Sequence, residues 1–321
     1  MALTSQRNPT AQGVALAARK IAEILAPTPL LPLEVDGQTV WCKAECLQPV
    51  GAFKIRGAWH RLTALSQEER ARGVVGVSSG NHAQGVAWAA RKLGIAATIV
   101  MPGDAPQVKL DRTRELGAEV VLYDRPGGED RDEVAKRVTR ERGATLVHAF
   151  GDPWIIEGQG STGIEITAQM GRQPDLIVTP CGGGGLTAGL ALACPESAII
   201  PVEPEGWDDV RRSLEAGTIV PVAGDAPATA CDALQTPSTH PINFEVLKAR
   251  CPFGLVAAPA EIRAAQRLAF ERLRLVLEPG GAAALAAVLA GKVELQEHTA
   301  VVLSGGNTDA RSFAAVLTGA D

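Results

Sequence analysis

Regular alternation of strand-like and helix-like stretches is the feature that most restricts the fold of this chain. From residue 73 onwards, GVVGVSS, AATIVMP, AEVVLYD and ATLVHAF predict strands, and the longer stretches between them, each ending in glycine, predict helices. Runs of Val, Ile and Leu that alternate with helices are typical of a parallel sheet covered on both faces. The pattern predicts a compact α/β lobe over residues 74–150.

A second α/β series follows residue 150. DLIVTP, AIIPVEPEG and TAVVLSGG predict strands, whereas GGGGLTAGLALA, PAEIRAAQRLAFERLRLVLE and PGGAAALAAVLAG predict helices, and periodicity is weak over residues 218–260. A chain of 321 residues is long for a single core. We therefore predict a small lobe, 74–150, inserted into a large lobe formed by 1–73 and 151–321, with a ligand cleft between them.

Charge and composition exclude several classes of partner. A net charge of −5 provides no basic field for nucleic acid or an anionic membrane. No apolar run reaches the roughly 18 residues of a membrane helix, and MALTSQRNPTAQG lacks a signal-peptide core. The six cysteines show no paired or zinc-binding spacing. We expect a cytoplasmic protein with reduced thiols and a small-molecule substrate, and no nucleic-acid or membrane partner.

Lys54 lies in the apolar, glycine-flanked segment QPVGAFKIRGAWH. Loss of solvent lowers the pKa of a lysine, by up to about 3–5 units when burial is complete. A neutral amine is a nucleophile that bonds covalently to carbonyl compounds. The alternative is a lysine whose aliphatic stem packs on Phe53 while its ammonium reaches water, and the segment alone does not decide between the two.

Four consecutive glycines, Gly182, Gly183, Gly184 and Gly185, separate a predicted strand from a predicted helix. Glycines let backbone N–H groups approach an anion closely, and the start of a helix adds a favourable dipole. The dinucleotide pattern G-x-G-x-x-G fails at Thr187 and Ala188, and no Gly-Lys-Ser/Thr follows. The loop therefore favours a single phosphate over NAD or ATP, which weakens a nucleotide-binding oxidoreductase, and a tight turn is the alternative.

Two further polar segments follow predicted strands. In SSGNHAQG, the residues Ser78, Ser79, Asn81 and His82 lie where a strand ends and a helix begins. Such side chains cap the helix or bind a carboxylate at its start. In VVLSGGNTD, Ser304 precedes two glycines, which indicates either close approach to a ligand or a plain turn.

Taken in order and spacing, GAFKIRGA, SSGNHAQG, GGGG and LSGGN resemble the motifs of fold type II pyridoxal-phosphate enzymes. Within that family, the chain is most similar to the serine/threonine dehydratase and serine racemase branch, from about Lys20 to Asp309. The resemblance implies a two-lobed α/β fold like that of the tryptophan synthase β subunit. It implies parallel and mixed sheets covered by helices, a large lobe that binds pyridoxal phosphate, and a homodimer.

The resemblance also implies a role for each cofactor-binding residue. Lys54 would hold the cofactor covalently, Phe53 would pack against it, and Gly182 to Gly185 would bind its phosphate. Asn81 would bind the 3′-oxygen of the ring, and Ser304 would face its pyridine nitrogen. A hydroxyl there, unlike a carboxylate, does not hold the nitrogen protonated, so the ring withdraws electrons less strongly. This favours prompt loss of a leaving group from the β-carbon.

The implied reaction is β-elimination from L-threonine or L-serine, which releases a 2-oxo acid and ammonia, with Lys54 removing the α-proton. The substrate residues implied by the resemblance are Ser78, Ser79, Asn81 and His82, with Arg131 reaching the carboxylate when the small lobe closes. For Arg131, a solvated charge on a helix is an equal alternative. Ser79 matches the second acid–base group of serine racemases, so it would be catalytic if racemisation occurs.

Several alternatives share this site. A 3-hydroxyaspartate dehydratase or a serine racemase would use the same residues, and a dicarboxylate would need a further cation, such as His82 or Arg131. Phe150 resembles the dehydratases more than the mammalian racemases. β-Replacement is less favoured because GAFKIRGA departs from the Ser-x-Lys-Asp-Arg form of that branch. A non-catalytic pyridoxal-phosphate or amino-acid-binding protein is the alternative of a different class.

The segment VEPEGWDD suggests a metal site. The resemblance implies a divalent cation held by Glu203, Asp209 and the carbonyl of Trp207. Carboxylate and carbonyl oxygens suit Mg²⁺, with Ca²⁺ or Mn²⁺ as alternatives. Such an ion would brace the loop without touching substrate, and the alternative is a pair of surface acids.

Overall fold

The computed structural model describes residues 7–78, 80–105, 107–124 and 126–320, so Ser79 lies outside the described residues. None of the helices in these ranges is both long and apolar enough to cross a lipid bilayer. In chain order they are α1 Ala11–Ala22, α2 Lys54–Thr63, α3 Gln67–Arg72, α4 Asn81–Leu93, α5 Gln107–Glu115, α6 Arg131–Arg142, α7 Pro153–Met170, α8 Gly185–Ala193, α9 Asp209–Ala216, α10 Pro241–Arg250, α11 Pro259–Leu268, α12 Pro279–Leu289 and α13 Ala310–Thr318.

The strands of the described residues form two separate sheets. They are β1 Leu30–Val35, β2 Gln38–Lys43, β3 Val74–Val77, β4 Ala97–Pro102, β5 Glu119–Tyr123, β6 Thr145–Val147, β7 Leu176–Pro180, β8 Ala198–Pro204, β9 Leu255–Ala257 and β10 Thr299–Val302. The large sheet has the order β1-β2-β10-β7-β8-β9 and the small sheet β5-β4-β3-β6. Among these strands of the described ranges, only β1 and β2 pair antiparallel. The predicted α/β fold with parallel and mixed sheets is confirmed.

Strand β4 shows why the apolar runs are continuous rather than alternating. All six of its residues are buried. Ile99 packs with Val86 of α4 on one face of the small sheet, and Val100 packs with Val134 of α6 on the other. Because helices cover both faces, neither face of the strand needs polar side chains.

Helix α2 connects the two sheets. It precedes residue 74, yet its residues Ala58 and Leu62 belong to the hydrophobic cluster that covers the small sheet. At its other end, backbone N–H of Phe53 donates to Ser304 O at 3.1 Å, next to the large sheet. The predicted boundaries at residues 74 and 150 stay a prediction, and the two cores share this helix.

One predicted helix is shorter than its sequence pattern indicates. The pattern of PAEIRAAQRLAFERLRLVLE predicts a helix that runs to Glu278, but the helical turns end at Leu273. Arg274 adopts the left-handed conformation, with φ of 60°, which terminates the helix. The extended residues beyond it bury Leu275 and Leu277 in the core and place Glu278 just before α12.

Candidate active site

A cavity of about 380 Å³ is lined by residues at the carboxyl ends of strands from both sheets. The structure brings together there nearly all of the residues predicted for cofactor and substrate, which lie far apart in the chain. Those lining the cavity are Phe53, Lys54, Ser78, Asn81, His82, Arg131, Gly182, Gly183, Gly184, Gly185 and Ser304. Ser79 is not described, and the predicted metal ligands Glu203, Trp207 and Asp209 are not among the described residues that line the cavity.

Lys54 is the first residue of α2 and directs its amine into the cavity. Its Nζ lies 2.9 Å from Ala149 O and 5.1 Å from the centre of the Phe53 ring. The side chain keeps some surface open to the cavity, and protein surrounds the rest. This burial lowers the pKa of Lys54 to about 8. Near neutral pH the amine is therefore neutral more often than an ordinary lysine, as nucleophilic chemistry requires.

A buried ionic network holds the start of α2 in place. Arg56, two residues after Lys54, is fully buried. Its guanidinium donates to both oxygens of Glu45 at 2.7 and 2.8 Å, and to both oxygens of Glu165 at 2.6 and 2.7 Å. Lys43 also donates to Glu165, at 2.6 Å. Bidentate pairs of this kind fix orientation as well as position, so the network orients the helix that presents Lys54.

The glycine loop joins β7 to α8 in a form that only glycine permits. A Cβ on Gly183 would overlap the ring of Phe150, and Gly184 adopts a φ of 88°. The carbonyl of Gly183 points away from the cavity and accepts hydrogen bonds from Thr239 Oγ1 at 3.1 Å and from Asn243 Nδ2.

Within the described residues, the N–H groups of Gly183, Gly184 and Gly185 have no protein acceptor. These free donors line the cavity at the start of α8, where the helix dipole favours an anion. The loop therefore fits a phosphate group.

Asn81 and Ser304 also present polar atoms to the cavity. Asn81 begins α4, and its Oδ1 accepts from Asn307 Nδ2 at 2.8 Å while its Nδ2 donates to Glu278 Oε1 at 2.6 Å. Ser304 follows β10, and its hydroxyl has no protein partner among the described residues. The two side chains come from opposite lobes, so a flat ligand between them would contact both.

Glu278 is a buried acid of the site that sequence reasoning missed. It lines the cavity, and burial raises its pKa to about 7 although the hydrogen bond from Asn81 opposes this. The residue was interpreted as the end of a helix. An acid directly before Pro279, Gly280 and Gly281 in an otherwise apolar stretch is the signal that could have revealed it.

His82 lines the cavity as a neutral side chain. Its Nε2 lies 3.0 Å from Val147 O, which can only accept, so the neutral ring carries its proton there. Burial lowers the pKa of His82 to about 3. The imidazole is therefore uncharged at neutral pH and does not supply the further cation that a dicarboxylate substrate would need.

Cationic side chains occupy the outer part of the cleft, and each has an acidic partner. Arg131, the first residue of α6, lies 3.3 Å from Asp132. Lys109 of α5 pairs across the cleft with Asp232, and both were missed from the sequence because nothing in their local patterns sets them apart. These pairs leave little uncompensated positive charge in the cleft.

Glu203 and Asp209 form a buried acidic pair behind the glycine loop. The oxygens of Glu203 accept from the N–H groups of Val210 and Arg211 at 2.9 and 2.7 Å, and Asp209 accepts from Thr239 N at 2.7 Å. Burial and the neighbouring Asp209 raise the pKa of Glu203 well above its usual range.

This pair fits a cation, since a positive ion would relieve the repulsion between the two carboxylates. Within the described ranges, however, no three His, Cys, Asp or Glu side chains converge as a ready set of metal ligands. A cation here would therefore draw its remaining ligands from backbone carbonyls and water.

The cavity combines a buried lysine amine, a glycine loop with free N–H groups and polar side chains from both sheets, which are features that suit an enzyme with a phosphorylated carbonyl cofactor. The chain belongs to the family described as pyridoxal-phosphate dependent enzymes, whose family model matches residues 21–305. The predicted family, cofactor and enzymatic nature are thereby confirmed. The family model spans most of the chain.

The relatives have different substrates. The chain is 38% identical to L-threo-3-hydroxyaspartate ammonia-lyase of Pseudomonas sp, over 88% of this chain and 89% of the relative. It superposes on a threonine deaminase structure from T.th. with a TM-score of 0.85, 42% identity and coverage of 94% and 99%. It superposes on maize serine racemase with a TM-score of 0.90, 33% identity and 98% of each chain. The comparisons therefore establish the family of this chain, and the named relatives act on different substrates.

Proposed function

We propose that this enzyme eliminates water from a 3-hydroxy amino acid of the L-threonine or L-serine type and releases a 2-oxo acid and ammonia. The observation that carries the proposal is Lys54, whose amine has a pKa of about 8 and lies inside the cleft, 2.9 Å from Ala149 O. An amine with that pKa is suited to accept a proton from carbon near neutral pH. Relatives named for the deamination of threonine and of hydroxyaspartate support the same reaction class.

Pyridoxal phosphate, when bound to Lys54 and the glycine loop, supplies an electron sink for the charge that develops at the α-carbon. The protein provides the rest. Lys54 takes the α-proton, the free N–H groups of Gly183 to Gly185 hold the phosphate, and Asn81 and Ser304 bind the ring from its two edges. The buried ionic network around Arg56 holds the amine of Lys54 in position relative to these groups.

The start of α4 is the proposed site for the substrate carboxylate. Ser78 lines the cavity there, and its Oγ accepts from Gly80 N at 3.1 Å, so its own hydrogen is free to donate to a ligand. The dipole of α4 adds attraction for a carboxylate. Arg131 stands at the outer edge of the same cavity and would approach when the lobes close. Ser79 stays in this proposal as an expectation from the sequence.

A 3-hydroxyaspartate dehydratase is the second candidate. The identity with L-threo-3-hydroxyaspartate ammonia-lyase and the cations Lys109, Arg131 and Lys136 around the cleft favour it. We place it second because Asp232, Asp132 and Glu133 already pair with these cations and His82 is neutral. Serine racemisation would require Ser79 on the opposite face of the cofactor.

Three further properties belong to the proposal. We propose that Mg²⁺, or Ca²⁺ or Mn²⁺ in its place, binds Glu203, Asp209 and the carbonyl of Trp207, because two close buried carboxylates favour a cation. We also propose a homodimer located in the cytoplasm. Analytical ultracentrifugation and fractionation of the native cells test these two expectations.

The proposal is tested by measuring 2-oxo acid release from L-threonine, L-serine and L-threo-3-hydroxyaspartate, with purified protein, pyridoxal phosphate and Mg²⁺. We expect the largest kcat/KM with L-threonine or L-serine. Fastest release from hydroxyaspartate would establish the second candidate. If amino acids alter the cofactor absorbance but neither a 2-oxo acid nor D-serine forms, the protein binds amino acids without turnover. That result would overturn the enzymatic proposal.

A further inference from the structure

His148 is a cavity-lining histidine whose tautomer is fixed by the backbone. It follows β6, and its Nδ1 lies 3.2 Å from Phe150 N and 2.7 Å from Gly151 N. Backbone N–H groups can only donate, so Nδ1 must present its lone pair to them. The neutral ring therefore carries its proton on Nε2.

The imidazole of His148 is held rigidly and stays neutral. Its ring packs edge-on against Phe150, with centroids 4.6 Å apart and an angle of 83°, and lies 5.4 Å from the ring of His240. Burial, reinforced by His240, lowers the pKa of His148 to about 4. The side chain is thus a neutral donor with little freedom to turn.

The free nitrogen of His148 belongs to the reactive end of the cavity. Among the described residues, Nε2 has no hydrogen-bond partner, and the ring lines the cavity. The next residue, Ala149, accepts from the amine of Lys54 at 2.9 Å. The imidazole and the amine therefore line the same cavity one residue apart along this wall, and nothing in the proposed reaction yet uses this donor.

We propose that Nε2–H of His148 donates a hydrogen bond to the β-hydroxyl of the substrate and assists its departure. The inference rests on the proposed elimination. When the Cβ–O bond breaks, its electron pair stays on oxygen, and a fixed donor stabilises the charge that develops there. His148 keeps its proton throughout. Lys54 passes the proton that it took from the α-carbon to the departing oxygen, so the hydroxyl leaves as water.

A neutral donor suits this task better than a cation. The carboxylate of the substrate has the start of α4 and Arg131 as partners, whereas a hydroxyl needs a directed donor without charge. His148 also selects substrates, because a β-substituent that cannot accept a hydrogen bond would leave the buried N–H unpaired. His148 is thus a second catalytic residue beside Lys54.

The test compares two leaving groups. Chloride departs without hydrogen-bond assistance, whereas hydroxide does not. Comparing L-serine with β-chloro-L-alanine therefore separates assistance to the leaving group from effects on substrate binding, α-proton removal or folding. His148→Leu should lower kcat/KM for L-serine by about 100-fold, while kcat/KM for β-chloro-L-alanine changes little. His148→Gln, which retains an N–H donor, should recover part of the loss with L-serine. His298→Gln, at a histidine that contacts Asp175 and lies outside the cavity lining, is the matched control and should leave the ratio unchanged.

An equal loss on both substrates would overturn the role of His148 while leaving the proposed elimination intact. Failure of the parent enzyme to release product from any hydroxy amino acid would instead overturn the proposed function. Nitrogen-15 NMR of the holoenzyme gives a readout independent of turnover and of the folding of either variant. The shifts of His148 should report protonated Nε2 and unprotonated Nδ1, and the opposite tautomer would contradict the inference.

Discussion

The side-chain amide of Asn81 donates a 2.6 Å hydrogen bond to Glu278, although 197 positions separate the two residues in the chain. One begins helix α4 beside the small sheet, and the other precedes helix α12 beside the large sheet. The contact therefore joins the two halves of the molecule at the ligand cavity. It also ties an ionisable group to a residue proposed to touch the cofactor.

Substitution of Glu278 by glutamine should change how stability depends on pH. The folded protein raises the pKa of Glu278 to about 7, from an ordinary value of about 4.3. Its favourable contribution is therefore complete below about pH 4 and is lost as pH rises through about 7. Glu278→Gln still accepts from Asn81 without titrating, so above pH 7 the variant should be more stable, by at most about 4 kcal/mol. Urea unfolding of cofactor-free protein at pH 5 and pH 8 measures this.

The exposed Glu271→Gln serves as the control for Glu278→Gln. If the free energy of unfolding changed with pH equally in the parent protein and in Glu278→Gln, the result would contradict a raised pKa of Glu278.

Lys54→Ala should abolish both the yellow absorbance of the bound cofactor and turnover, because no other amine among the cavity-lining residues is comparably buried. Absorbance spectra after gel filtration, with 2-oxo acid assays on the same samples, provide the measurement. Lys248→Ala, at an exposed lysine that does not line the cavity, should retain both properties. Persistent turnover in Lys54→Ala would refute the assignment of the site.

Gly183→Ala should weaken cofactor binding, since the added Cβ would overlap the ring of Phe150 and displace the loop that offers its N–H groups. We expect the dissociation constant for pyridoxal phosphate to rise at least about 10-fold, which corresponds to about 1.4 kcal/mol. Fluorescence titration of the cofactor-free protein measures it. Gly224→Ala meets no neighbour and should bind normally, so equal affinities for the two variants would argue against the phosphate site.

Arg56→Met should destabilise the protein by about 3–5 kcal/mol, because it leaves the buried carboxylate of Glu45 without its cationic partner and removes one of the two cations bound to Glu165. Thermal or urea unfolding gives the value. Arg72→Ala breaks an exposed pair with Glu68 and should cost at most about 1 kcal/mol. A loss of similar size in both variants would mean that the buried network does not anchor helix α2.

Removal of divalent metal should lower the melting temperature if Glu203 and Asp209 bind a cation. Bound Mg²⁺ at about 100 times its dissociation constant would stabilise the protein by about 2.7 kcal/mol. EDTA should remove this stabilisation and added Mg²⁺ should restore it, whereas Glu203→Gln should respond to neither. If EDTA does not change the melting temperature of the parent protein, Glu203 and Asp209 form a structural pair that binds no metal.

The sequence predicts the framework well because the relevant signals are local. Strand β4 is a continuous apolar run because both of its faces are covered. The glycine run is informative because a Cβ on Gly183 would overlap Phe150 and Gly184 needs a positive φ. The residues that escaped prediction depend on distant partners. Glu278 was hidden because Arg274 ends its helix early, which periodicity does not reveal. The donor role of His148 depends on loop geometry at Phe150 and Gly151 that no motif encodes.

Helix α2 presents the reactive amine at its first residue and contributes Ala58 and Leu62 to the core that covers the small sheet. A repacking of that core would therefore move the amine as well, even though the substituted residue touches no ligand. For protein engineering this means that thermostabilising changes in the small lobe and retention of catalytic rate cannot be optimised separately. Screens for heat-resistant variants should score turnover in the same round.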